Sequence, residues 1–427
     1  MSSINFKTDT LVKNFKNAIK AIQHCKHDSK TYFLYKSKFN IDKNVDKYNK
    51  QIISEIMMQD IIANNFSKKH VSSKVIEILE KLYDENAFNL SKEEFKNRYF
   101  EIIENFENEI NNTIKNDFNE FEFISHIQNL TLPREIKIGE VILFPYDSSN
   151  SPLAYVNEIK YVDDDFFKDG EVYARTVAYG SKDYVIKKSE VKIKMALNIL
   201  KFLSPPHLAN FNLDGETIGN DFRDYILLDS NELRVSGSRR VANFHYPRDI
   251  AEDELKEMSV HLGMLASLFN NKNRSKFENN LLSSIYWFGE AVSQGMMQYR
   301  DVDNKYVEGL DNLEYFNVYP KLLDLIISLE TAFVFGNEHI SESISSKVPA
   351  LIANPGYDDF ISLFLKEIYI NRSKIVHSAV VYVSKNDLDS LIDFTRAAII
   401  KLVRINHLFR DKISYFNKLY CKGHDYE

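Results

Sequence analysis

Residues 367–378 read Glu367-Ile-Tyr-Ile-Asn-Arg-Ser-Lys-Ile-Val-His-Ser378 and set an arginine, Arg372, five positions before a histidine, His377. The segment is apolar enough, at helical spacing, to predict a helix. At 3.6 residues per turn the two side chains stand about 140° apart, on different faces. Ser373 and His377, at i and i+4, share one.

Working outward, the stretch before it contains Ile285-Tyr-Trp-Phe-Gly-Glu-Ala-Val292, with the single Trp of the chain, and Leu325-Ile-Ile-Ser-Leu-Glu-Thr-Ala-Phe333. Glu338-His-Ile-Ser-Glu-Ser-Ile344 follows, and then Tyr369-Ile-Asn-Arg-Ser-Lys-Ile-Val-His377. In order and approximate spacing, these resemble the Apea-like branch of the HEPN ribonuclease superfamily. That branch carries a Trp-aromatic-Gly helix, a Leu-Glu-x-x-Phe helix, an Ile-Ser turn and Tyr-x-x-Arg-Ser-x-x-Val-His. The resemblance spans about residues 255 to 420 and leaves the first 250 uncovered. Many HEPN proteins place Asn, Asp or His directly after the arginine; Ser373 departs from that and agrees with the Apea-like branch.

The resemblance implies a metal-independent endoribonuclease that needs no cofactor. Arg372 and His377 would be catalytic, Glu367, Tyr369, Asn371 and Ser373 supporting, and Lys374 an RNA contact. It implies a homodimer through the HEPN bundle, in which two facing segments supply two arginines and two histidines. The substrate would be RNA, tRNA or mRNA among the options. The setting would be bacterial antiphage defence by abortive infection, or toxin-like growth arrest, released by a phage-derived or protein trigger. Two other readings stand beside it: a non-catalytic dimeric HEPN module that binds RNA or a protein, and a helical scaffold in which the spacing is coincidence.

The residue types suit the chemistry. RNA cleavage needs a base for the 2′-hydroxyl proton and a stabiliser for charge growing on the phosphoryl oxygens. Histidine ordinarily titrates near pH 6.5 and moves protons; arginine keeps its charge and offers a planar fork to phosphate.

Composition sets the frame. The chain has 427 residues, room for two or three domains, with 44% hydrophobic and 27% charged residues. Two cysteines, Cys25 and Cys421, make no disulfide framework and fit a reducing cytoplasm. No run of 18 apolar residues exists and no signal-peptide core opens the chain, so no membrane association is expected. The net charge of −7 argues against a generally basic nucleic-acid coat. Locally the balance differs: residues 366–422 hold eleven Lys or Arg against five Asp or Glu, and residues 81–122 hold five against eleven. A basic face can therefore meet phosphate where it counts. Only 13 Gly and 9 Pro favour helix.

The fold expected is mainly α: a helical N-terminal region over 1–130, a small α+β domain over 131–250 with a structural, sensor or regulatory role, and a HEPN-like helical bundle over 251–427. In the first region Leu11, Phe15, Ala18, Ile19 and Ile22 share a face, and Ser91 with Glu94 forms a capping-box signature before Phe95, Tyr99, Ile102 and Phe106. His24-Cys25-Lys26-His27 lacks further spaced ligands and reads as surface. In the second, Glu135–Phe144, closed by Pro145, and Glu171–Tyr179 alternate as strands; Ser189–Leu203 is a helix stopped by Pro205-Pro206; Tyr225–Leu228, Leu233–Gly237 and Arg240–His245 are further strands. Arg239-Arg240 reads as a surface pair. In the third, Leu322, Leu325, Ile326, Leu329 and Phe333 form a helical stripe. Asp358 or Asp359 is expected to cap a helix that carries Phe360, Phe364 and Ile368 on one side, and Ser384 or Asn386 a last helix with Leu388, Leu391, Ile392, Ile399, Leu402 and Phe409 along one stripe. No phosphate-binding Gly-x4-Gly-Lys-Ser/Thr loop is present.

Overall fold

The computed structural model describes residues 43–57, 66–84, 118–149, 167–205, 209, 211–213, 225–228, 233–236, 248–293, 313–334, 338–354, 356–377 and 383–406, with scattered positions between 13 and 116. Among the described residues the fold is mainly α, with a small sheet. The helices expected around residues 11–22 and 95–106, the His24–His27 pair, Arg239-Arg240, the strand at 240–245 and Phe409 lie outside the described residues, wholly or in most of their positions.

Two compact units divide the chain: Met1–Phe123 with Val177–Ser189 and Leu227–Leu233, and Ile124–Thr176 with Glu190–Ile226 and Arg234–Glu427. In the first, α1 (Lys43–Met57) buries Ile52, Ile53 and Ile56, and α2 (Lys68–Asp84) buries Val71 and Val75. Ser67 begins α2 as its cap, accepting from the His70 N–H at 3.0 Å. The His70 ring stacks on Phe66 at 5.6 Å.

The strands are β1 (Asn119–Gln128), β2 (Leu130–Thr131), β3 (Ile136–Ile138), β4 (Val141–Pro145) and β5 (Val172–Gly180), then, after α3 (Lys182–Leu203), β6 (Asn212–Leu213), β7 (Tyr225–Leu228), β8 (Leu233–Ser236) and β9 (Arg248–Asp249). The main sheet runs β3-β4-β5-β1-β7-β8, with β6 also on β1; β2 and β9 form a separate parallel pair. β1 falls inside the region expected to be helical, and its Glu-Phe-Glu-Phe alternation buries Phe121 and Phe123. The single strand expected over 135–144 is a hairpin: Ile136 pairs with Leu143 and Ile138 with Val141. Gly139 turns it at φ +67°, against Phe269, whose Cδ1 a Cβ would meet at 2.3 Å. α3 starts at Lys182, seven residues before Ser189, and ends ahead of the prolines as expected.

Five long helices follow: α4 (Glu252–Asn270), α5 (Lys276–Ser293), α6 (Leu313–Phe333), α7 (Ile340–Ile352) and α8 (Asp358–Val376), and then α9 (Lys385–Ile405) closes the described chain. Within the second unit α3 contacts α5 and α9. Phe202 of α3 meets Phe288 of α5 edge-on at 4.9 Å. Gly289 lets Asn198 approach so closely that a Cβ there would come within 2.5 Å of it. Asn198 then donates to Tyr286 O and Glu290 Oε1 at 3.3 and 3.0 Å. Arg396 of α9 donates to Ser204 O at 2.8 Å, closing the C-terminal end of α3.

α6 buries the whole expected stripe, Leu322, Leu325, Ile326, Leu329 and Phe333. α9 is capped by Ser384 in a capping box with Asp387 and buries Leu388, Leu391, Ile392, Ile399 and Leu402. α8 corrects two expectations. Its N-cap is Tyr357, without a side-chain cap bond, and Asp358 and Asp359 sit in the first turn, where a negative charge complements the helix dipole. Its buried side is Ile361, Leu365 and Ile368 rather than Phe360, Phe364 and Ile368; Phe360 is 63% exposed.

Candidate active site

The segment that carries the Arg-x4-His spacing is the last two turns of α8, ending in His377 as the C-cap residue. Ile361, Leu365 and Ile368 form the buried stripe, and the next position in that series is Arg372. The arginine therefore extends the packed face and is 28% exposed. Its Nη2 lies 3.7 Å from Glu330 Oε1 on α6, and its Cζ stands 5.8 Å over the Tyr369 ring, a cation–π contact one turn back on its own helix. Among the described residues no direct hydrogen bond engages the guanidinium.

His377 is exposed. Its backbone N–H bonds to Ser373 O at 3.2 Å, so the turn that closes the helix also fixes where the ring is rooted. Asn371 and Ser373 are half-buried beside Arg372, and Lys374 is exposed. Glu367 is exposed and five positions before Arg372, which puts it about 140° around the helix. The carboxylate brought to Arg372 is Glu330 instead, from Leu329-Glu-Thr-Ala-Phe333.

Glu330 is 21% exposed, and its Oε1 has no hydrogen-bond partner among the described residues. Burial pushes its pKa up, while the Arg372 charge pulls it down without cancelling that rise. The helix that presents it is fixed at both flanks. Ser284 of α5 and Ser328 of α6 donate to each other's carbonyl oxygens, both at 2.8 Å. Lys347 of α7, 5% exposed, donates to Phe333 O at 2.9 Å and so satisfies the end of α6. Glu338, just ahead of α7, accepts from Lys347 Nζ and from Ser343 Oγ, at 2.5 and 2.8 Å; the expected Ile-Ser turn, Ile340-Ser341, is the first turn of that helix.

The other face of α8 is open. Phe360, Leu363 and Ile370 are 63, 66 and 52% exposed. At 100° per residue they share a side with Glu367 and Lys374. No described helix is long and apolar enough to cross a membrane.

Compared with protein-family models, with curated proteins and with solved structures, the chain shows no match.

Proposed function

We propose that this chain is a metal-independent endoribonuclease of HEPN type, with Arg372 and His377 as its catalytic pair. The observation that carries this reading is the contrast between the two residues. The arginine is held half-buried between Glu330 and Tyr369, whereas the histidine is exposed at the end of the same helix. A fixed cation and an accessible imidazole are what phosphoryl transfer asks of side chains: stabilisation of developing charge without reorganisation, and a proton acceptor that substrate can reach.

In this mechanism His377 takes the 2′-hydroxyl proton and the 2′-oxygen attacks the neighbouring phosphorus. Arg372 stabilises the charge on the phosphoryl oxygens. The 5′-oxygen leaves and takes a proton from a second, protonated imidazole, so the products are a 2′,3′-cyclic phosphate and a 5′-hydroxyl. Asn371 and Ser373 contact phosphate or steady the histidine, and Lys374 meets the RNA backbone.

One copy of the α8 segment offers one imidazole, His377, and the Arg372–His377 pair is spread about 140° around the helix. The site is completed by a second copy. The open face of α8, with Phe360, Leu363 and Ile370 exposed, is the surface offered to that copy. By the resemblance, the enzyme works in the bacterial cytoplasm as an antiphage or toxin-like effector.

The test is purified protein with total RNA in EDTA, wild type against His377→Ala, with the RNA ends sequenced. Cyclic-phosphate ends made by the wild type alone support the reading; no cleavage, or equal cleavage by both, removes it. A non-catalytic module is favoured by one feature, that Arg372 already has a carboxylate partner. It predicts RNA or protein binding, without cleavage, that survives His377→Ala.

A further inference from the structure

We propose that Glu330 is the positioning residue for Arg372: its charge holds the guanidinium across 3.7 Å and leaves the donors of the fork for a phosphate. The inference rests on the endoribonuclease reading and deepens it. A carboxylate at this place needs a reason. Glu330 is 21% exposed, its Oε1 has no hydrogen-bond partner among the described residues, and its burial disfavours the charge it carries. The arginine comes from a different helix, and the ion pair brings Nη2 to 3.7 Å from Oε1, beyond hydrogen-bond distance. A structural Arg–carboxylate bridge is typically bidentate, two parallel N–H···O bonds at 2.7–2.9 Å. Here the contact is long and makes no hydrogen bond at Oε1, so the charge attracts the group without consuming its donors.

The surroundings supply the other constraints. The Tyr369 ring lies 5.8 Å from the guanidinium carbon, a cation–π contact that favours one placement of the group. Glu330 adds its charge from a second helix. α6, which carries Glu330, is locked by the Ser284–Ser328 pair and by Lys347, so the carboxylate has a rigid base. An aimed cation stabilises a transition state more than a mobile one of equal charge, and a misplacement of about 1 Å can lower a rate by about a hundredfold.

The experiment uses the full-length chain labelled with ¹⁵N-arginine. The Arg372 Nε–Hε signal, identified by its loss in Arg372→Lys, reports the order of the guanidinium whether or not RNA is cut. Glu330→Gln keeps the size of the side chain and removes its charge. Its Arg372 Hε should exchange with water at least about tenfold faster than in the wild type, and its kcat on total RNA should fall at least about tenfold with KM within about twofold. Glu330→Asp, a carboxylate withdrawn by one methylene, should lie between the two in both measurements. Unchanged Hε exchange in Glu330→Gln overturns the proposal, as does wild-type kcat. If Glu330→Gln does not fold, Glu330→Asp must by itself show both faster exchange and lower kcat, or the proposal falls. A wild type that cleaves nothing removes the endoribonuclease reading, and the exchange measurement then still decides whether Glu330 fixes Arg372. A Glu330→Gln that cleaves normally beside an inactive His377→Ala removes the positioning role alone.

Discussion

The two sides of α8 each carry three large apolar residues and meet opposite fates. Ile361, Leu365 and Ile368 are buried, and Arg372 continues their line into an ion pair; Phe360, Leu363 and Ile370 stand in solvent, with Glu367 and Lys374 among them. A helix apolar all round is normally buried all round. One that is packed on one side and open on the other is a fixed platform that presents a surface. The packed side holds a cation still, and the open side offers the area on which a second copy can complete the site.

The comparison breaks first at His377. His377→Ala should lower cleavage by about 10²–10⁴-fold, the usual worth of a positioned proton-transfer group. Because the side chain is exposed, the melting temperature should stay within a degree or two of the wild type. Loss of the fold instead would make His377 part of the packed side.

Arg372 should couple both properties. Arg372→Lys keeps the charge but loses the planar fork, and cleavage should fall about 10²-fold or more. Arg372→Ala should also destabilise the protein, by about 1–3 kcal/mol, because Glu330 is left as an uncompensated, partly buried carboxylate. Adding Glu330→Gln to Arg372→Ala should restore the stability and none of the activity. Denaturant titration beside a cleavage assay separates the two, and recovery of cleavage in the double variant would show that Arg372 acts through structure alone.

On the open side, Ile370→Asp should leave the fold of each chain intact and disrupt association. Light scattering should report a monomer, and cleavage should return as protein concentration is raised. A monomeric wild type with full activity at nanomolar concentration would sink the shared site.

What could be foreseen from sequence follows from how local each signal is. The α6 stripe and the Ser384 cap are set by residues within a few positions of one another, and both lie where periodicity and capping rules put them. β1 was obscured by its setting: Glu-Phe-Glu-Phe alternates with period 2, yet it follows a long run with few helix breakers. The hairpin over 136–145 depends on Gly139 taking positive φ against Phe269, a contact remote in sequence. α8 is ambiguous by construction, since Phe360 and Ile361 head two apolar stripes one residue apart, and only the neighbouring helices decide which is buried. The candidate site divides likewise. The Arg372–His377 spacing is visible in a dozen residues, whereas the partner of Arg372 is not, because Glu330 comes from another helix and no local rule links them.

The smallest effect is a pH dependence. Burial raises the pKa of Glu330, and the opposing pull of Arg372 does not cancel it. In the folded protein this carboxyl therefore holds its proton more tightly than in the unfolded chain. Below the unfolded value both states are protonated there and the group costs nothing. As pH rises from that value through the folded pKa, the unfolded chain releases its proton first, and the folded state loses stability relative to it. Gln cannot titrate, so Glu330→Gln should be indistinguishable from the wild type near pH 4 and should gain on it as pH rises toward 7. Thermal melts of the two proteins across that range test the sign. A variant that instead loses ground as pH rises would mean that the Arg372 pair outweighs burial. Glu330 would then be an ordinary stabilising bridge, and the packed side of α8 would be explained by stability, with no aiming of the arginine required.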